Sequence, residues 1–172
     1  MLELQFKKEI LNFKFATFSI ILGFVLSYIG YFLVPAVGPR FTLHEFTNTN
    51  FELPGIWLTQ YLREIINTAE SVPMGTINPI EVVQRDVFPS GHTQMTLIVI
   101  YLSHKFRTKF RHIIYPIGTL LIIATVYLIY HYVVDVLGGL IFMIITMYLS
   151  KYLFNKWNSF LGEKSFEYPS KN

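Results

Sequence analysis

The chain has 172 residues, 52% of them hydrophobic, 17% aromatic and only 15% charged, with no cysteine and a net charge of +3. Soluble domains usually carry about 25% charged residues. The deficit and a mean hydropathy of +0.43 exclude a disordered chain and argue against an ordinary soluble domain. Without cysteine there is no disulfide framework, thiolate metal site or cysteine nucleophile. The basic residues sit in short clusters beside apolar runs, so no nucleic-acid partner is expected.

Phe15 to Val34 is an uncharged apolar stretch of 20 residues, which matches the ~20 needed to cross a ~30 Å hydrocarbon core. No small-x-small cleavage site follows it, so it is read as a retained transmembrane helix. The loop from Pro35 to Asp86 comes next. Within it, Ile56 to Glu70 places Leu58, Tyr61, Leu62, Ile65, Ile66 and Ala69 on one helical face. Thr59, Gln60, Arg63, Glu64, Asn67 and Glu70 take the other. Pro54 and Gly55 before it and Pro73 after it bound the helix. Such a helix either packs on its own protein or lies on the outer leaflet. The second is favoured because the flanking segments enter the membrane.

A second uncharged run covers Val87 to Ser103, with a polar first half. From Ile113 to Leu153 the chain is apolar for 41 residues, interrupted among ionisable groups only by His131 and Asp135. As one helix this would be roughly 60 Å long, about twice the bilayer core. It must fold back, and a break near Tyr130 and His131 divides it most evenly. The expectation is therefore one all-α domain over residues 1–172, a polytopic membrane helix bundle. Four transmembrane helices lie near 15–34, 89–104, 113–130 and 132–153, with an outer interfacial helix. Lys7, Lys8 and Lys14, then Lys105, Arg107, Lys109 and Arg111, then Lys151, Lys156, Lys164 and Lys171, all fall on one side of four crossings. That side is expected to be cytoplasmic. The Pro35–Asp86 loop, with six carboxylates against Arg40, Arg63 and Arg85, then faces outside, which fits an inner membrane.

Ionisable groups within spans cost about 2.5 to 3.5 kcal/mol on insertion scales and mark function by default. Here they are His92, His131 and Asp135. His92 and the His131–Asp135 pair fall at the starts of two inward-running helices, and Arg40 lies just beyond the outer end of the first span. Three spans thus bring polar markers to one level. His131 and Asp135, four apart, are expected to share a helix face, where a carboxylate fixes the tautomer of an imidazole. Alone, such a couple reads as a buried polar pair holding the packing. Pro89, Ser90, Gly91 and His92 form a helix start whose free N–H groups suit phosphate. By itself that reads as a simple cap. Together, histidine, arginine and His-Asp point to phosphate chemistry. His104 and His112 fall with the basic link on the expected cytoplasmic side and are expected to meet lipid headgroups there, and His44 is assigned no role.

Phe88-Pro89-Ser90-Gly91-His92-Thr93 resembles the second signature of the type 2 phosphatidic acid phosphatase superfamily. His131-Tyr132-Val133-Val134-Asp135-Val136, followed by Gly138 and Gly139, resembles the third. Pro35-Ala36-Val37-Gly38-Pro39-Arg40 lies where the first signature's arginine belongs. The resemblance runs from about Tyr31 to Gly139. Leu33 stands where a lysine is usual, Phe41 where a proline is usual and Thr125 where an arginine is usual. Asp86 and the His131-Tyr132 start look closer to the branch with sphingomyelin synthases and inositol phosphorylceramide synthases. The family commonly has six spans, so a chain with four is expected to be a minimal or truncated member.

The resemblance implies a cofactor-free mechanism through a phosphohistidine. His131 would be the nucleophile, Asp135 its support and His92 the general acid. Arg40, Ser90 and the N–H groups near Gly91 would hold the phosphoryl oxygens, and Arg85 is a candidate for part of the missing positive charge. The substrate would be a phosphorylated lipid, with hydrolysis and headgroup transfer both open. Two other readings compete: a protein that keeps the fold without turnover, and a divalent-metal site built from His92, His131 and Asp135.

Overall fold

The computed structural model describes residues 9–43, 46–69, 72 and 75–169. His44 and the end of the loop helix at Glu70 lie outside them. Among the described residues there are eight α-helices and no strand, the only bridge being between Ala36 and Asp86. Four helices build the body: α1 (Ile10–Leu33), α6 (Gly91–Lys105), α7 (Arg111–Tyr127) and α8 (Val133–Phe160). Between α1 and α6 lie α2 (Pro39–Thr42), α3 (Thr49–Glu52), α4 (Thr59–Ala69) and α5 (Pro79–Val82).

The chain forms a helical membrane bundle. α1 and α8 are long and apolar enough to cross a bilayer, and α7 is a shorter apolar helix. α6 has 15 residues, about 22 Å at 1.5 Å per residue. Its polar first half is nevertheless covered, because α6 packs on α1, α7 and α8 alike. The expected boundaries shift accordingly. The first helix starts at Ile10 rather than Phe15, and the last runs to Phe160 rather than Leu153. Both extensions carry polar residues at the basic end of the bundle, where hydropathy alone sees the span stop.

Packing between these helices depends on small side chains. The buried face of α1 reads Phe15, Ser19, Gly23, Ser27 and Gly30, nearly all small residues that let backbones approach in a membrane. A Cβ on Gly23 would lie 2.7 Å from Ile98 Cδ1 of α6. At the same level the fully buried Gln94 ties three helices together. Its amide nitrogen donates to Gly23 O at 3.0 Å and Thr146 Oγ1 at 3.1 Å, and its oxygen accepts from Ser27 Oγ at 2.7 Å.

These two contacts should respond differently to substitution. In Gln94→Leu, Ser27 and Thr146 keep hydrogen bonds to their own helices, at Gly23 O and Phe142 O. The expected cost is therefore about 1–2 kcal/mol, two or three interhelical bonds at ~0.6 each. Gly23→Leu has no room and should cost more. Thermal unfolding in detergent checks this; a larger drop for Gln94→Leu would mean that the amide, not the close approach, holds the bundle.

At the basic end the residues after α8 fold back on the bundle. Phe166 is completely buried and stacks on Phe15 at 3.8 Å. Asn155 clamps its backbone, accepting from Phe166 N at 2.6 Å and donating to Phe166 O at 3.2 Å. Tyr168 lies beside Lys105 and Lys151. His104, expected among the lipid headgroups, meets the Tyr115 hydroxyl at 2.9 Å. Helix direction places Lys14, Lys105, Arg111 and Lys151 at this end, and the start of α6 and of α8 at the other.

The loop helix is amphipathic as expected but starts later, at Thr59 rather than Ile56, and is described as far as Ala69. Gly55 takes φ +62°, and Thr59 N donates to Ile56 O, so Ile56 to Leu58 form a turn that leads into α4. Arg63 on its polar face is buried, while Leu58, Tyr61, Leu62 and Ile65 are all exposed. A polar face turned to the protein with an apolar face turned outward is the arrangement of a helix seated on a bilayer surface.

Candidate active site

The start of α6 is built by its own sequence. Ser90 is the N-cap, and its hydroxyl accepts from Thr93 N at 3.3 Å. Its backbone N–H donates to Asp135 O at 3.0 Å, which joins the start of α6 to the first turn of α8. Gly139 allows the approach: a Cβ there would lie 2.7 Å from Ser90 O and 2.9 Å from Thr93 Cβ. The Pro-Ser-Gly-His segment is thus braced by the two-glycine step of the next motif. Gly91 lies under the Tyr31 hydroxyl, where a Cβ would collide with it.

The turn between α7 and α8 positions His131. α7 ends at Tyr127 and α8 begins at Val133 with Tyr132 as N-cap, so the break falls at Tyr130 and His131 as expected. No glycine makes this turn. Ile129 takes φ +64°, a left-handed conformation that costs a β-branched residue on the order of 1–3 kcal/mol. The distortion lets Thr125 O accept from both Tyr130 N and His131 N at 3.0 Å.

His131 therefore precedes the helix instead of sharing its face with Asp135. The two meet because Asp135, third residue of α8, reaches back. Its Oδ2 accepts from Tyr132 N at 2.7 Å, the return half of a capping box. The same oxygen lies 3.7 Å from His131 Nδ1, and both side chains are buried. At that separation Nδ1 is close to the carboxylate but not hydrogen-bonded, and it makes no other hydrogen bond.

Arg40 comes from the far side of α1. Gly38 and Pro39 start α2 close to the carbonyl of Tyr130. The Arg40 guanidinium, 4% exposed, stacks over Phe41 at 4.6 Å and Tyr130 at 4.5 Å and donates to Asn67 Oδ1 at 2.9 Å. Burial pulls its pKa below the ordinary guanidinium value, opposed by Tyr130 and Asp86. Guanidinium basicity is high enough that the group stays charged at neutral pH.

Arg40, His92 and His131 line one cavity of about 90 Å³, together with Tyr31, Asp86 and Tyr130. The imidazoles of His92 and His131 have their centroids 5.7 Å apart, and Asp135 stands behind His131. Four of the seven residues singled out from sequence thus converge. Ser90 and Gly91 build the start of α6 behind this cavity. Arg85 is exposed and does not line it, while its neighbours Gln84 and Asp86 do. Leu33, where the resemblance leads one to look for a lysine, is 74% exposed.

Tyr31, Asp86, Tyr130 and Arg63 were not singled out as functional. Tyr31 and Tyr130 are ordinary aromatic residues of apolar runs. Asp86 is brought in by the bridge to Ala36. In the sequence, Asp86 stands among the residues that carry the family resemblance, and Arg63 is four residues from Asn67 on the polar face of α4. Among the described residues no three histidine, aspartate or glutamate groups are arranged to hold a metal ion, so the geometry gives no support to a metal centre at His92, His131 and Asp135.

Residues 4–149 match the family described as the PAP2 superfamily. A PA-phosphatase related-family protein of Dictyostelium discoideum is 32% identical over 129 residues, which cover 68% of this chain and 21% of the relative. The chain therefore spans about a fifth of the length of that relative. No solved structure matches.

Proposed function

Because this chain belongs to the PAP2 superfamily, we propose that it is a membrane-embedded enzyme that cleaves a phosphorylated lipid through a phosphohistidine. The observation that carries this reading is the convergence of Arg40, His92 and His131, from three chain segments, on one cavity. His131 Nδ1 faces Asp135, which leaves Nε2 as the nucleophilic nitrogen. Nε2 attacks phosphorus while the bond to the lipid oxygen breaks, and His92 gives that oxygen its proton. Arg40 stabilises the phosphoryl oxygens as charge develops.

In the resulting phosphohistidine the imidazolium ring, with its proton on Nδ1, carries a positive charge. Closing the 3.7 Å gap to the carboxylate then gives a charge-assisted hydrogen bond that the resting enzyme lacks. An interaction stronger in the intermediate than in the ground state accelerates the step. In the second half, His92 takes a proton from water or an alcohol as the P–N bond breaks, giving hydrolysis or headgroup transfer. Lys14, Lys105, Arg111 and Lys151 lie at the opposite end of the bundle from this cavity. By the charge rule for membrane loops the site faces the non-cytoplasmic side.

The test is a panel of lipid phosphates offered to purified protein in detergent with chelator, measuring released phosphate and transferred headgroup together. Turnover of a lipid phosphate, unaffected by chelator, is expected. Absence of both products across the panel would favour a protein that keeps the fold without turnover, and loss on chelation would favour a metal enzyme.

A further inference from the structure

A groove of about 910 Å³ runs along α8, away from the reaction cavity, within the ~300–1,000 Å³ typical of ligand sites. Its floor is two neighbouring rows of α8, apolar at Leu140, Met143, Ile144 and Met147 and ending on Lys151 and Lys156. Its walls come from two other segments, Tyr101 of α6 and Tyr168 of the chain that folds back after α8. α8 begins at Val133, at the level of the active site. At 1.5 Å per residue, Leu140 lies about 10 Å below that level, Met147 about 21 Å, Lys151 about 27 Å and Lys156 about 35 Å. A bilayer core is ~30 Å thick. The apolar part of the groove therefore reaches from near the midplane into the leaflet opposite the active site, and its lysines fall at that leaflet's headgroups.

The charge at the basic end of the groove is one-sided. None of the described residues that line it is a carboxylate. Among the described residues Lys151 and Lys156 have no acidic partner, and Glu163 of the tail is taken by Lys14 at 3.4 Å. Lys105 and Lys151 stand over the same Tyr168 ring, at 5.3 and 5.7 Å, so a third ammonium adds to the field. Lysines beside tyrosines at a membrane interface, closing an apolar groove, suit the headgroup of an anionic lipid. A second copy of the chain suits the groove poorly. Two copies inserted in the same direction are related by an axis along the membrane normal, which sets each level of the groove against itself and lysine against lysine. We propose that the groove holds one anionic phospholipid of the leaflet opposite the active site, with an acyl chain along Leu140, Ile144 and Met147 and its phosphate at Lys151 and Lys156. This lipid is not the substrate. Its phosphate lies about 27 Å or more below the level at which α8 begins, and it joins α6, α8 and the returning tail.

The test measures retained lipid, so it does not depend on turnover. The 172-residue chain is mixed in detergent with dioleoyl phosphatidylglycerol or dioleoyl phosphatidylcholine and released for native mass spectrometry. The wild type should retain one phosphatidylglycerol per chain and at least fivefold less phosphatidylcholine. Lys151→Gln with Lys156→Gln should cut phosphatidylglycerol retention at least fivefold, to the level of phosphatidylcholine. Lys14→Gln with Lys164→Gln removes two exposed charges from the same end but outside the groove, and should leave retention within about twofold. Ile144→Trp fills the apolar part without touching the lysines and should weaken retention of both lipids. Thermal unfolding without added lipid checks that each variant folds. Equal retention of the two lipids by the wild type, or equal losses in the two lysine pairs, would overturn the headgroup site. Retention undiminished by Ile144→Trp would place the lipid elsewhere. A dimer that carries no lipid would assign the groove to a second copy of the chain and sink the proposal.

Discussion

His131→Ala is expected to abolish turnover of every phosphate ester, whereas His92→Ala should lose activity in proportion to how badly the leaving group needs a proton. The two imidazoles, with centroids 5.7 Å apart, line the same cavity, where one phosphate ester can meet both. In the proposed mechanism they have different tasks. Without His131 no P–N bond can form, and changing the substrate cannot restore it. Without His92 the lipid alkoxide departs unprotonated, a loss of about 10²–10⁴. An aryl phosphate, whose leaving group is stable as an anion, should recover much of that. Asp135→Asn should approach His131→Ala in severity, because an amide cannot stabilise the phosphoimidazolium as a carboxylate does. Rates on an alkyl and an aryl ester for the three variants check the assignment. Equal rescue of His131→Ala and His92→Ala by the aryl ester would dissolve the division of labour.

Arg40→Lys carries the next largest expected effect, a fall in kcat of about 10²–10³, the scale of a lost transition-state donor. The exchange keeps the charge. It discards the planar fork, the stacking on Phe41 and Tyr130, and the alignment set by Asn67. Because the rings and Asn67 hold the guanidinium before substrate arrives, an ammonium on a flexible stem should bind the ground state adequately and the transition state poorly. The prediction is thus a kcat effect with a KM change under about threefold, read from steady-state kinetics on a lipid phosphate. A large KM effect with unchanged kcat would show instead that Arg40 supplies uniform binding.

Much of this architecture is legible in the sequence because membrane insertion leaves strong signals. A 41-residue apolar run has to fold back, and it does so at Tyr130 and His131. The ionisable groups it contains lie at the candidate site. What pattern reading misses is set by contacts between distant segments. The turn at Ile129 has no glycine to announce it, since three backbone hydrogen bonds to Thr125 O and Val126 O hold the strained residue. His131 and Asp135 meet through a helix cap rather than a shared helix face, and i,i+4 spacing cannot distinguish the two. Arg85 and Arg63 are both charges in the same polar loop. Only the docking of α4 against Arg40 makes one of them buried and leaves the other exposed. The small-residue face of α1 is visible in sequence, at Ser19, Gly23 and Ser27, but its partner Gln94 becomes evident only when the helices are packed.

The most direct test of the central claim is the covalent intermediate. The 172-residue chain in detergent with chelator is incubated with a lipid phosphate radiolabelled at phosphorus, quenched rapidly and separated under conditions that preserve acid-labile phosphoramidates. The account predicts label on His131, stable to base and lost in acid, absent from His131→Ala and still formed slowly by His92→Ala. Wild-type labelling that persists undiminished in His131→Ala would contradict it.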